Sequence, residues 1–144
     1  MIGLRLDQVT SRFFDRQRVL AATTRAQRRV LSRFGAFVRR RSQTSIRPRK
    51  GTSRPGAPPH SHTGLLRRNI YFSYEPNRRS VVIGPVRLNA KGGDAPRLLE
   101  TGGRIMRRRG GRLHPAIYRP RPFMRPAFEA EQQKLPSLWA KSVR

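Results

Sequence analysis

The chain has 144 residues, no cysteine, and 33 basic against seven acidic side chains, for a formal net charge of +26. That length suits one domain with a single modest core, and the absence of thiols excludes disulfides, thiolate catalysis and cysteine-ligated metals. No run of about 18 apolar residues occurs, as a membrane-spanning helix would need, and the N-terminus MIGLRLDQVTSRFF lacks the layout of a secretory signal, so synthesis and folding in a cytoplasm are expected.

Charge dominates the composition. Only Lys50, Lys91, Lys134 and Lys141 are lysines; every other basic residue is arginine. A guanidinium forks onto phosphate or carboxylate and stays charged when partly buried, which favours contact over mere hydration. Between Asp15 and Glu75 no acid occurs, while fifteen Arg or Lys residues fall in that stretch. Such a block repels itself unless a polyanion or an acidic protein surface lies alongside. The plainer reading is a solvated basic face with counterions.

Residues 7–41 are predicted as one long helix. Val9, Phe13, Leu20, Leu31, Phe34 and Val38 recur at helical steps, with arginines on the other faces. Asp7 is the expected N-cap, Arg39, Arg40 and Arg41 sit at the far end where cations suit the helix dipole, and Gly35 marks a bend. Thr24 and Gln27 interrupt the stripe, which predicts packing on a sheet or a neighbouring subunit rather than a coiled coil. Residues 42–64 carry Pro48, Pro55, Pro58 and Pro59 and are predicted as a long loop. A loop of roughly twenty residues is longer than compact domains usually hold, so an arm that orders against a partner is expected.

From Asn69 the period changes. Ile70, Phe72 and Tyr74 alternate with Tyr71, Ser73 and Glu75 as in a strand, Pro76-Asn77 supplies a turn, and Ser80 to Ile83 form a second strand ended by Gly84-Pro85. A short helix is predicted over Ala95 to Thr101, stopped by Gly102-Gly103. Residues 104–113 read as a basic loop or hairpin and His114 to Tyr118 as a further strand. Residues 125–144 read as a helix that Pro136 kinks or divides. The predicted class is α+β: a long N-terminal helix, a small, mainly antiparallel sheet and a C-terminal helix in a single domain, 1–144.

Catalysis has little to stand on. Glu129 and Glu131 lie two positions apart and point about 200° away from each other on a helix. Asp94 and Glu100 can approach, but salt bridges to the abundant arginines are the expected use for them. No serine–histidine framework is traceable. His60 and His62 would face one side of an extended segment, as two metal ligands do, yet His114 is remote in sequence and no carboxylate completes a set. Neither a metal nor a cofactor is expected. The glycine-bearing segments GGD (92–94), TGGR (101–104) and RRRGGR (107–112) lack the arrangement that cradles a nucleotide triphosphate. Sequence-specific nucleic-acid motifs are also missing. The candidate contact residues for DNA or an acidic partner are Arg39, Arg40, Arg41, Arg47, Arg49, Lys50, Arg107, Arg108, Arg109 and Arg112. The four arginines around Gly110-Gly111 can track a nucleic-acid backbone, reach an acidic groove on a neighbour, or remain solvated.

Four segments follow one another in an order that resembles a known family. They are PGAPPHSHTGLLRRNI (55–70), SVVIGPV (80–86), APRLLETGG (95–103) and RPRPFMRPAFEAE (119–131). The set resembles the small tail-component proteins of tailed phages, the family of lambda-like minor tail protein Z and related neck or tail-completion proteins. The residues that carry the resemblance are Gly64, Leu65, Arg67 and Ile70; Gly84; Leu99, Glu100 and Gly102; and Arg121, Pro122, Phe123, Pro126 and Ala127. Structural roles follow for several of them. Gly64 turns the loop into the strand that Leu65 and Ile70 anchor. Pro122 and Pro126 set an extended approach and then the first turn of a helix. Phe123 is a buried anchor, Ala127 permits close packing, and Arg121 or Arg125 pairs with Glu100.

The resemblance implies a non-enzymatic structural protein of the virion. It would form a homo-oligomeric ring at the neck or tail end, act in head–tail joining or tail completion, and assemble in the host cytoplasm with other neck, connector and tail proteins. Non-specific contact with packaged DNA is a further expectation, drawn from charge. The family is usually more balanced in charge, and this chain departs from it there. The competing reading is a general nucleic-acid-binding basic protein, ribosomal or chromatin-like.

Overall fold

The computed structural model describes residues 15–86, 94–140 and 142. The architecture is α+β, with a long helix, two separate two-stranded antiparallel sheets and a C-terminal helical segment. Helix α1 spans Arg16–Ser45. Asp15 caps it by accepting the Arg18 N–H at 3.1 Å, which satisfies one of the free amides of the first turn. Asp15 itself is not helical (ψ 88°), so one unbroken helix from residue 7 is not formed; Asp7, Val9 and Phe13 lie outside the described residues. At the other end α1 runs past Arg41 to Ser45, and no basic residue stands in its last turn.

The buried face of α1 advances in steps of four: Ala26, Val30, Phe34, Val38 and Ser42, followed by Ile46 just beyond the helix. It differs from the predicted stripe at its start. Leu20 is 52% exposed, and Leu31 is half-buried. The covering hairpin explains the shift. Strands β1 (Ile70–Glu75) and β2 (Ser80–Pro85) pair antiparallel with Phe72 opposite Ile83 and Tyr74 opposite Val81. Their turn reaches α1 only as far as Gln27, whose Nε2 donates to the Arg79 carbonyl at 3.3 Å. The first turns of the helix therefore have no sheet over them. Gln27, which interrupts the apolar pattern, ties helix to hairpin, and α1 packs on a sheet as predicted.

Gly35 is a point of close approach between helix and sheet. A Cβ there would stand 2.8 Å from Phe72 Cδ2 and 2.8 Å from Val81 Cγ2. Two apolar clusters result. Phe34, Val38 and Ala127 form one with Val81 and Ile83; Ile46, Leu66, Ile70 and Phe123 form the other with Leu99, and Met124 touches both. Full burial of side chains such as Ile46, Ile70 and Phe123 contributes about 1.5–3 kcal/mol each.

Residues 46–64 are not a free arm. Ile46 is 1% exposed in the second cluster. The Ser61 amide donates to the Arg47 carbonyl at 3.0 Å, and the Gly56 amide donates to the Pro120 carbonyl at 2.8 Å. The prolines forbid regular structure, but the backbone groups find partners across the chain. Gly64, in the left-handed region at φ 71°, turns the chain into the single-turn helix α2 (Leu65–Arg68), not directly into a strand. Leu66, rather than Leu65, is therefore the buried anchor; Leu65 is 46% exposed.

Helix α3 (Ala95–Thr101) starts at Asp94, whose carboxylate accepts the Arg97 amide at 3.2 Å. Strands β3 (Gly103–Arg109) and β4 (Arg112–Tyr118) then form a second hairpin. The predicted single sheet is thus two, because β3–β4 does not pair with β1–β2. The C-terminal segment divides into α4 (Met124–Gln132) and α5 (Leu135–Ala140). The break lies just before Pro136, which occupies the first turn of α5, where a missing N–H is tolerated.

Candidate functional site

Two of the four family-like segments meet at one carboxylate. Glu100, on α3, accepts the backbone amides of Phe123 (2.9 Å), Met124 (3.0 Å) and Arg125 (2.8 Å). Phe123 is the N-cap residue of α4 and has no side chain to cap it, so a glutamate distant in sequence does the work of a capping residue. A carboxylate facing a helix N-terminus is favoured by the exposed amides and by the dipole together. The expected pairing of Glu100 with Arg121 or Arg125 is not made. Arg121 donates from Nε to the Ser53 carbonyl at 3.0 Å, and its amide donates to the Leu99 carbonyl at 2.6 Å. Arg125 pairs with Glu129 at 2.8 Å. That hydrogen bond and charge attraction raise the Arg125 guanidinium pKa, with burial acting slightly against them and Glu100 adding a weaker attraction. Asp94 likewise caps a helix, and among the described residues it bridges to no arginine.

The remaining motif residues support this hub. Gly102, at φ 71°, brings the chain so close to β4 that a Cβ would lie 2.8 Å from the Tyr118 carbonyl. Phe123 (1% exposed) and Ala127 (3%) are buried as predicted. Pro122 is half-buried ahead of α4 and Pro126 lies within its first turn. Ile70 is fully buried, whereas Arg67 is exposed and Gly84 has open space where a Cβ would stand.

The predicted contact arginines divide into structural and free groups. Arg39 donates to the Ile70 carbonyl at 2.9 Å and lies over the Tyr71 ring at 5.7 Å. Arg41 bonds to Glu131, which is 4% exposed and also paired with Lys134 at 3.0 Å. Burial by itself would raise the Glu131 carboxyl; hydrogen bonds and charge from Arg41 and Lys134 outweigh it and hold the pKa below the usual carboxylate range. Of that triplet, Arg40 is exposed and makes no ion pair among the described residues. Arg47, Arg49 and Lys50 are exposed at the start of the loop. His60 Nδ1 is hydrogen-bonded to the Gly51 carbonyl at 2.8 Å. Among the described residues no three His, Asp or Glu side chains gather as a metal site would require.

Arg107, Arg108, Arg109 and Arg112 occupy the distal half of the β3–β4 hairpin. Both strands are exposed along nearly their whole length. The tip, Gly110 (φ 57°) and Gly111 (φ 79°), is a two-residue turn whose positive φ values match the twist of a ribbon. Register sorts the side chains by face. Arg107 opposes His114 and Arg109 opposes Arg112 on one side. On the other side Arg104 opposes Ile117, Met106 opposes Pro115, and Arg108 opposes Leu113. Met106 (58% exposed), Leu113 (62%) and Ile117 (72%) thus form an uncovered apolar strip on a single face. This strip was not singled out from sequence. Its signal is the period-two alternation of Met106, Leu113, Pro115 and Ile117 across the glycine turn, which the arginines obscure.

Compared with protein-family models, with curated proteins and with solved structures, the chain matches none of them.

Proposed function

We propose that the chain is a non-enzymatic structural subunit of a tailed-phage virion, forming a ring at the neck or tail end and acting in head–tail joining or tail completion. The phage setting comes from the resemblance of the four segments. The observation that carries an assembly role is the projecting hairpin with its uncovered apolar strip. An isolated two-stranded ribbon is marginally stable in water, and an exposed apolar face of this kind marks a protein contact. A closed ring needs two different patches on each subunit; the Met106–Leu113–Ile117 strip is one of them. The hairpin takes the role expected of residues 42–64, which are tied to the body instead.

The test is electron microscopy of particles from a phage or prophage lacking this gene and from one carrying M106S/L113S/I117S. Filled heads accumulating apart from tails, or tails of abnormal length, are expected in both. Normal infectious particles from the gene deletion would end the assembly reading. Normal particles from the triple variant alone would remove the hairpin from it. A second reading, a non-specific nucleic-acid-binding basic protein, is favoured by one observation: Arg104, Arg107, Arg108, Arg109 and Arg112 form no ion pair among the described residues.

A further inference from the structure

We infer that the arginine face of the β3–β4 hairpin, built from Arg107, Arg109 and Arg112, is a binding surface for the phosphate backbone of duplex DNA. The inference goes beyond the assembly reading, which needs only the opposite, apolar face, and it can fail while that reading stands.

The argument begins with register. Arg109 stands directly across from Arg112, and Arg107 across from His114. Like charges placed opposite each other weaken a hairpin, and among the described residues no acid pairs with them. A ribbon with that arrangement gains stability when an anion is seated across the strands. Same-face residues on one strand lie about 6.8 Å apart, while phosphates rise about 3.4 Å per nucleotide along a DNA strand. Arg107 and Arg109 therefore span about two phosphates, with Arg112 beside them. The guanidinium fork accepts phosphate oxygens bidentately. Gly110 and Gly111 present no side chain, and a Cβ at either would meet nothing within 4 Å, so the tip lets the ribbon lie close along a backbone.

A uniform polyanion suits this surface better than an acidic protein does. Phosphates repeat along the whole duplex and need no register with the arginines, whereas carboxylates on a protein must be placed to match. The rest of the molecule acts in the same direction. Its net charge of +26 draws a long polyanion and steers it to the site. Apart from His114 opposite Arg107 and Tyr118 at the base, the side chains of this face are arginine or aliphatic, so the contact is mainly with backbone and independent of sequence.

The full chain is titrated with a fluorescent random-sequence DNA duplex over a series of salt concentrations, using anisotropy. R107Q/R109Q/R112Q is expected to bind at least about tenfold more weakly near physiological salt. Its log–log salt slope should fall by about 2.7, since each phosphate contact contributes roughly 0.9. A charge-matched control on the exposed face of α1, R25Q/R28Q/R29Q, should lose less than threefold. R107K/R109K/R112K should keep the parent's slope. All these side chains are exposed, so each variant should melt with the parent, and that is checked by circular dichroism. Equal losses in the two glutamine variants would mean diffuse charge binds the DNA and would overturn the inference. Displacement of the DNA by polyglutamate at equal charge concentration would overturn it in favour of an acidic protein partner. Absence of binding at about 50 mM salt would also end it.

Discussion

Replacement of Glu100 tests the hub where two family-like segments meet. In the parent, one carboxylate accepts three amides, from Phe123, Met124 and Arg125, at 2.8–3.0 Å. Hydrogen bonds to a charged group contribute about 1.5–3 kcal/mol, but three that share one acceptor are not additive. Loss of a helix cap costs about 0.5–2 kcal/mol, and loss of a carboxylate from a partly buried helix N-terminus up to about 2 kcal/mol. Glu100→Ala removes both and leaves amides beside the buried Phe123 without partners. A loss of about 2–4 kcal/mol follows, seen as a fall in melting temperature on the order of 10 °C. Glu100→Gln keeps one acceptor oxygen but turns an NH2 toward the amides, so it should fall between parent and alanine. Chemical denaturation followed by circular dichroism measures both. Arg125→Gln is the control, because its partner is Glu129 rather than Glu100. A melting temperature for Glu100→Ala within about 2 °C of the parent would refute the capping role. So would an Arg125→Gln loss as large as that of Glu100→Ala.

Gly35→Ala gains about 1 kcal/mol of helix propensity, but its Cβ lands 2.8 Å from Phe72 and Val81. Overpacking of about 1–3 kcal/mol should leave it net destabilised in urea unfolding. Arg79, at φ 49° in the β1–β2 turn, carries a left-handed conformation that glycine adopts freely, so Arg79→Gly should raise stability by about 0.5–1 kcal/mol; a loss would show that its side chain has work to do. The Glu131 pKa is lower in the folded state than in the unfolded chain. Its stabilisation is therefore complete above the unfolded value of about 4.3 and is lost as pH falls through the folded value. Because Arg41 is 45% and Lys134 54% exposed, Glu131→Gln should cost only about 1–2 kcal/mol at neutral pH, with the gap to the parent closing on acidification in pH-dependent melts. Raising NaCl from about 0.05 to about 0.5 M should raise the melting temperature, since screening relieves the self-repulsion of +26 more than it weakens a few short ion pairs.

Periodicity made the elements legible where apolar residues define a face. The alternation at Ile70, Phe72 and Tyr74 predicts β1, and the Gly102-Gly103 pair predicts the end of α3. The errors share a physical origin. Leu20 carries a helical spacing, but what buries a helical face is the reach of its partner, and the β1–β2 turn stops at Gln27. Proline content predicts a loop over 42–64; residues 42–45 belong to α1 instead, and from Ile46 the irregular chain is tied to the body by backbone bonds such as that from Gly56 to Pro120, which leave no trace in side-chain pattern. Glu100 is expected to pair with Arg121 or Arg125. Its true partners are main-chain amides, which every sequence has and none displays. Arg39 and Arg41 looked like contact residues because charge alone cannot tell an arginine aimed at Ile70 or Glu131 from one aimed at solvent.

The scarcity of acids explains the division of labour. With seven acids to 33 bases, ion pairing cannot neutralise the chain, so each acid matters by position. Among the described residues Asp15, Asp94 and Glu100 stand at the N-termini of α1, α3 and α4, where the local field is positive and no arginine can substitute. Glu131 is buried between Arg41 and Lys134 and fastens α4 to α1. Glu75 and Glu129 make short-range pairs with Arg78 and Arg125. Among the described residues none pairs with the hairpin, whose arginines therefore stand in a positive field without a carboxylate partner. A fold that commits its described carboxylates to helix ends, one buried bridge and two short-range pairs cannot neutralise its own surface, and the β3–β4 ribbon presents Arg104, Arg107, Arg108, Arg109 and Arg112 without ion pairs among the described residues.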